Sequence, residues 1–381
     1  MKKILLIENF YAGSHKQFID QLHYFVKDDY ECHFIQVPAK KWHWSMRVGA
    51  LVLREKIPDE EYDFLFTSIS FNLSELLGML PKLMKSTKIL YFHENQLVYP
   101  IKNEKQTRDF QFGYNQIVSA IASDKILFNS EFNRTSFFAT IPAFLRKCPI
   151  TIPKNFLNDL MNKASILPIF IKRPEAYSKD AIIENIKNRQ DEPLRIVWPH
   201  RWEHDKNPDS LVKVIANICK KENVKFYISI LGESTNDIPK SLLELFNDPV
   251  CQKHIENKGY QSRHDYWKIL ANSDVVLSTS FHEFYGISWL EGVSVGCVPL
   301  CPNRLVYPEL ICKETTFDKG CLYNTDVQLE KTLNNWITRP KRLRNTIVEY
   351  IMRDFEGLLN IPEIFKEEVS KRKYYTKKFN F

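Results

Sequence analysis

"SDVVLSTSFHEFYGISWLE", residues 273–291, decides how the chain is read. Its first half is a short apolar run. From Gly286 the apolar residues recur at helical spacing instead. A strand that passes through a polar loop into a helix is the repeating unit of parallel α/β sheets. The same unit recurs on either side. Apolar runs at 194–199, 225–232, 255–260 and 297–302 accompany 274–280, and an earlier series lies at 3–8, 31–37, 63–68, 88–94 and 124–130. Amphipathic stretches such as 15–26 and 72–84 separate them. The expected fold is α/β, with two doubly wound Rossmann-like domains facing a central cleft. Ligands of such sheets bind outside the carboxyl ends of the strands.

The expected boundaries are an N-terminal domain over 1–172, a linker over 173–193 and a second domain over 194–350. The linker is charged, poor in apolar periodicity, and holds Pro174 and Pro193. Residues 351–381 are expected to form a helix and a basic tail that returns to the N-terminal domain. The tail interleaves Lys371, Arg372, Lys373, Lys377 and Lys378 with Tyr374, Tyr375 and Phe379. Such a tail is either a solvated terminus or a phosphate contact with aromatic stacking.

Composition narrows the class. The chain has 381 residues, 44% hydrophobic and 26% charged, as in ordinary soluble globular proteins. A net charge of +7 suits an anionic partner without requiring one. The N-terminal apolar run, Ile4 to Ile7, ends at Glu8, short of the roughly 7–15 residues of a signal peptide. No run approaches the roughly 18 residues of a membrane helix. The eight cysteines form no CxxC pair, which argues against a zinc or thioredoxin site. Scattered thiols without a secretory signal suggest a reducing compartment, the cytoplasm or nucleus. No GxGxxG is present, which counts against a dinucleotide oxidoreductase.

Five constellations carry the chemistry. Glu283 and Glu291 are separated by seven residues. Glu283 falls in a strand-to-helix loop and Glu291 falls inside the helix. The backbone N–H groups of Phe284, Tyr285, Gly286 and Ile287 lie at the helix start, where an anion is favoured. The bland alternative is an ordinary helix start. In "WPHRWEHDK" (198–206), Arg201 and Lys206 follow a strand and suit a diphosphate, as a planar fork and a point charge. Asp205 and His204 could instead pair with them on the surface. Gly13, Ser14 and His15 occupy the first strand-to-helix loop, where Ser14 could simply cap the helix. His93 and Glu94 end the strand in "LYFHENQLVYP" (90–100), with Asn95 and Gln96 as polar neighbours. Lys40, Lys41, Trp42, His43 and Trp44, with Arg47 nearby, combine cations and aromatic planes that suit a nucleic acid.

Together these pieces resemble the retaining GT-B glycosyltransferases of family 4. The E-x7-E motif matches Glu283 and Glu291, and the Arg-x4-Lys pair matches Arg201 and Lys206. His93 matches that family's first-domain histidine by position only. The resemblance implies that Glu283 contacts the donor sugar, Glu291 holds the nucleotide ribose, and Arg201 and Lys206 grip the diphosphate. The fold suggests backbone near Gly232 and Tyr260 as the reader of the nucleobase, a point the sequence leaves open. A tighter resemblance runs from residue 3 to about 310. "FYAGSHKQ", "VPAKKWHW", "DFQFGYNQI", "VWPHRWEHDK", "HEFYGISWLE" and "LVYPE" are similar to the glycosyltransferase-like domain-containing protein 1 group, the tRNA-queuosine alpha-mannosyltransferases. That resemblance implies GDP-mannose as donor and queuosine of tRNA-Asp as acceptor.

The expected site follows. His93, Arg201, Lys206 and Glu283 would be catalytic. Gly13, Gly232, Tyr260, Phe284, Tyr285, Gly286, Ile287 and Glu291 would complete the donor site. Lys40, Lys41, Trp42, His43, Trp44, Arg47, Asn95, Gln96, Gln111, Tyr114 and Asn115 would meet the acceptor. No metal or cofactor is expected, because Arg201 and Lys206 can take the leaving charge. The chain departs from many relatives at His200 before Arg201, and at Tyr285, which is expected to narrow the sugar pocket. Rival readings are a glycosyltransferase with a different donor and a small-molecule, lipid or protein acceptor, or a non-catalytic binding protein on the same scaffold.

Overall fold

In this computed structural model, residues 1–100, 109–152, 155–233, 237–311 and 318–354 are described. The basic tail therefore lies outside the described residues, as does the return of 351–381 to the first domain. The chain divides into two compact units, one over Met1–Phe170 and one beginning at Ile171.

The first unit carries β1 (Lys3–Tyr11), β2 (Glu31–Pro38), β3 (Phe64–Ser68), β4 (Thr87–Phe92), β5 (Lys125–Phe128) and β6 (Ala164–Ile166). They form one parallel sheet in the order β2-β1-β3-β4-β5-β6. Ile4 to Ile7 and Phe64 to Phe66 are buried. Burial on both faces is why these strands read as continuous apolar runs rather than alternating ones. The second unit carries β7 (Leu194–Pro199), β8 (Phe226–Leu231), β9 (Ile255–Gly259), β10 (Val275–Leu277), β11 (Val298–Pro302) and β12 (Leu322–Tyr323). Their order is β12-β11-β10-β7-β8-β9.

The α/β expectation is borne out, with two doubly wound parallel sheets. Each sheet reverses direction once, between β1 and β3 in the first and between β7 and β10 in the second. Those reversal points open crevices at the carboxyl ends of the strands. The edge strands β6 and β12 have three and two residues, too short to give a periodic signal.

Residues 173–193 differ from the expected linker. A helix spans Lys179–Asn188 and buries Ile182 and Ile186. Four apart, these two make a narrow apolar stripe that the charged composition hides. Its exit is tied down by Asp274, at the start of β10. Asp274 accepts from Arg344 Nε at 2.8 Å and Nη2 at 2.7 Å, from Arg189 Nη1 at 3.0 Å and from the Arg195 amide at 2.8 Å. The remaining Arg344 donors meet the carbonyls of Arg189, Glu192 and Pro193. Arg344 is fully buried, and a buried guanidinium is tolerable only when its donors are satisfied in this way.

Breaking a buried charge pair on one side leaves an uncompensated charge. Arg344→Met is therefore expected to destabilise the chain by about 3–5 kcal/mol. Denaturant unfolding of the two proteins measures this, and a loss under about 1 kcal/mol would show that Arg344 is not a tie.

Candidate active site

At the reversal point of the first sheet, β1 ends in a buried carboxylate. Glu8 Oε1 receives Ser68 Oγ at 2.9 Å, Ser70 Oγ at 3.3 Å and the Phe10 amide at 2.9 Å, and lies 3.2 Å from His15 Nδ1. His15 enters from the helix Gly13–Val26 and stacks on His93 with ring centroids 3.9 Å apart. The two imidazoles are driven apart in charge. Burial opposes protonation of His15, but the Glu8 carboxylate outweighs it and raises the pKa above 6.5. Burial, followed by the charge of His15, holds His93 well below 6.5. His93 is thus a neutral ring with its carbonyl held by Asn129 Nδ2 at 2.7 Å, and neither ring nitrogen has a partner among the described residues.

Glu8 was not legible as a site residue, because in the sequence it simply follows an apolar run. The ligand atoms of Glu8, His15 and His93 lie within 4.8 Å of one another, a spacing one ion could bridge. The rings face each other with planes only 27° apart. Ligation by both would require one ring to turn.

The other first-unit candidates divide. Trp42, His43, Trp44 and Arg47 belong to a helix, Trp42–Arg54, whose Met46, Ala50 and Leu53 face the core. Arg47 lies over the rings of Phe112 at 4.6 Å and Trp44 at 6.0 Å, and donates to Asp109 at 2.6 Å. Trp44 and Tyr114 are exposed, as are Lys40, Lys41, His43 and Gln111. Asn95 and Asn115 are not contact surfaces here. Asn95 is fully buried and donates to Asn133 and Ser136, while Asn115 donates to the Met46 carbonyl. Gln96 reaches Glu94. Gly13 opens its helix with φ of 49°, and Ala12 rather than Ser14 stands at the cap position.

In the second unit Lys206 is buried after β7. Its ammonium donates to Glu283 Oε2, Asp205 Oδ2 and the His282 carbonyl, each at 3.0 Å. The feared surface network is thus a buried one, and it spans the reversal point between β7 and β10. Burial would raise the Glu283 pKa, yet Lys206 and then His200 hold it down to about 2. His200 itself falls to about 3 through burial and the Lys206 charge.

The other Glu283 oxygen accepts from the amides of Phe284 at 3.1 Å and Tyr285 at 3.2 Å. Those amides, expected to seat a phosphate, are held by the chain's own carboxylate. Gly286 precedes the helix Ile287–Ser294 with φ of 83°, a conformation that favours glycine. Phe284 and Tyr285 are buried.

Glu291 is buried in that helix and accepts from Arg263 Nη2 at 2.6 Å and the Tyr266 hydroxyl at 2.8 Å. Arg263 and Tyr266 were missed by sequence reading. The capped start "SRHD" (262–265) was the available signal for their helix. Gly232 and Tyr260 follow β8 and β9, and Tyr260 is 73% exposed. Arg201 is exposed.

A histidine with a raised pKa stabilises the fold most below the ordinary value of 6.5, and that contribution is lost as pH rises through the folded-state pKa. Glu8→Gln is expected to bring the His15 titration, followed by NMR of its ring protons, from above 6.5 to below it. It is also expected to remove the associated stability, with the full loss below pH 6.5 and none above the wild-type midpoint. A His15 titration unmoved by the substitution would show that Glu8 does not charge it.

Comparison with known proteins places this geometry. Residues 3–171 match the family described as tRNA-queuosine alpha-mannosyltransferase N-terminal, and residues 179–353 match glycosyl transferases group 1. A curated tRNA-queuosine alpha-mannosyltransferase from Drosophila melanogaster is 39% identical over 344 residues, covering 90% of this chain and 88% of that protein. Among solved structures, sucrose-phosphate synthase from Thermosynechococcus elongatus superposes with a TM-score of 0.67 at 12% identity, covering 100% of this chain and 99% of that one. Anabaena HepE in complex with UDP superposes with a TM-score of 0.64 at 13% identity, covering 100% of both. These likenesses show the GT-B fold, and the sequence relationship shows more: the chain belongs to the tRNA-queuosine alpha-mannosyltransferase family of glycosyltransferases.

Proposed function

We propose that the chain transfers mannose from GDP-mannose to queuosine in the anticodon of tRNA-Asp, with retention of the alpha configuration. The observation that carries this reading is the 39% identity to a curated member across nine-tenths of the chain. The buried Lys206–Glu283 pair supports it from the structure. In the proposed reaction an acceptor hydroxyl oxygen bonds to the anomeric carbon of mannose as the bond from that carbon to the diphosphate breaks. The hydroxyl proton passes to the departing diphosphate, on the face from which it leaves.

Arg201 and Lys206 stabilise the charge that grows on the diphosphate, without a metal or cofactor. For this Lys206 exchanges a carboxylate or carbonyl partner for phosphate oxygen. Glu283 holds the sugar and Glu291, oriented by Arg263 and Tyr266, holds the ribose. Neither is assigned as a general base, because Glu283 at a pKa of about 2 is a poor proton acceptor near neutrality. His93, neutral and with unpartnered nitrogens, is suited to hydrogen-bond a sugar or acceptor hydroxyl. The exposed Lys40, Lys41, Trp44, Arg47 and Tyr114 are suited to the RNA. A cytoplasmic setting is supported by the free thiols of the described cysteines. No helix among the described residues is long and apolar enough to cross a membrane.

The deciding experiment incubates the protein with GDP-mannose and tRNA-Asp that either carries or lacks queuosine. Mannose is expected only on the queuosine-containing tRNA; equal labelling of both, or of neither, overturns the reading. Arg201→Ala is expected to lower kcat/KM by about a hundredfold or more. Activity within a few-fold of wild type would remove Arg201 from the diphosphate site.

A further inference from the structure

The carboxyl rim of the second sheet has two halves. The donor site proposed above draws on the loops after β7, β8, β9 and β10. The loops after β11 and β12, at the other end of the strand order, are left without a role. At their border stands Phe281, two residues before Glu283 and 49% exposed. Arg304, in the loop after β11, places its guanidinium 5.5 Å from the Phe281 ring centroid and donates to the Ser280 carbonyl at 3.3 Å. His204 approaches the same ring, with centroids 6.0 Å apart. Among the described residues no carboxylate pairs with Arg304.

The neighbouring residue, Leu305, has φ of 62°. The backbone on the other side of Arg304 is tied by hydrogen bonds, from the Asn303 amide to the Tyr323 carbonyl at 2.8 Å and from the Arg304 amide to the Pro302 carbonyl at 2.7 Å. Beside the ring opens a cavity of ≈ 290 Å³ lined by Phe281, Arg304, Lys213, Asp209, Asn324 and Asp326, among others. Small-ligand clefts begin at about 300 Å³, so this one has room for a single planar group. Its polar lining is already balanced in part: Asp326 accepts from Lys213 at 3.1 Å and from Ser210 Oγ at 2.6 Å. Asp209 and Asn324 are exposed at its mouth.

We propose that Phe281 and Arg304 form a stacking platform for one unpaired nucleotide of the acceptor RNA, adjacent to the nucleotide that is modified. The base lies against Phe281 and over the cavity, where Asn324 and Asp209 can accept from an exocyclic amino group. The phosphate meets Arg304 and is kept out of the cavity by its carboxylates. An exposed aromatic ring beside a cation is the arrangement that single-stranded nucleic acids use, because every base has a π-face. Placement beside Glu283 brings that nucleotide to the sugar-holding end of the donor site. This inference rests on the reading that the acceptor is RNA, and it assigns the second unit a share of RNA binding.

The test uses the full chain with GDP-mannose and queuosine-containing tRNA-Asp. Phe281→Ala is expected to raise KM for tRNA about tenfold, while KM for GDP-mannose stays within twofold. Phe281→Trp keeps the plane and is expected to restore KM for tRNA. Arg304→Gln is expected to reduce the slope of log affinity against log salt by about 0.7. An unchanged KM for tRNA in Phe281→Ala overturns the platform. So does a parallel loss of GDP-mannose affinity, which would make Phe281 a support of the donor loop. Should the wild-type protein transfer no mannose, the proposed function fails by itself. The platform is then read from anisotropy of a labelled anticodon stem–loop RNA, and equal affinity for wild type and Phe281→Ala overturns it.

Discussion

A lysine ammonium taken out of water must have all its donors met, and Lys206 meets them across the reversal point of the second sheet. Its partners come from the loop after β7, through Asp205, and from the loop after β10, through Glu283 and the His282 carbonyl. The two strands are neighbours, so their loops start close together, but nothing in the sheet itself fixes the loops against each other. The ammonium does. Thr279 Oγ1 reinforces the join by donating to the Lys206 and Asn207 carbonyls at 2.8 and 3.1 Å. Asn207, left-handed at φ of 54°, then turns the chain into the next helix. The position of Glu283 follows from where this charge is satisfied and from the backbone contacts that surround it.

The first unit solves the opposite problem. There a carboxylate is buried, and its oxygen collects hydroxyl, amide and imidazole groups. The outcome is a His15 whose pKa is raised against a His93 held neutral, in stacked contact. Two titratable groups pushed in opposite directions by one environment let a single site hold both a ring that favours its proton and a neutral ring with nitrogens available for a hydrogen bond. Each sheet thus places a buried ionic group at the point where its strand order turns.

Much of this was legible in the chain. Strands buried on both faces announce themselves as apolar runs, which is why the core of both sheets could be placed from the sequence. The pairing of Arg201 with Lys206 and of Glu283 with Glu291 was visible as spacing, because each pair lies within one strand–loop–helix unit. What escaped depends on contacts between distant segments. Glu8 gains its role from Ser68, Ser70 and His15, which only folding brings to it. Arg263 and Tyr266 matter through Glu291, on a different helix. The helix Lys179–Asn188 was masked by charge, since two isoleucines suffice to seat it. Asn95 and Asn115 looked like polar contacts for a ligand, and instead satisfy buried backbone and side-chain groups.

Gly232 has a further consequence. A β-carbon placed there would come within 2.2 Å of the His200 carbonyl oxygen, and the residue's φ is 110°. The ends of β7 and β8 are therefore in backbone contact, with no side chain to yield. Sequence variation cannot enter the site at this position without displacing the segment that leads to Arg201. Substitution is sterically open instead at positions with room to change, such as exposed Tyr260 after β9. The close approach acts as a steric lock: the backbone after β8 admits no side chain, while the position after β9 carries a large one in open solvent.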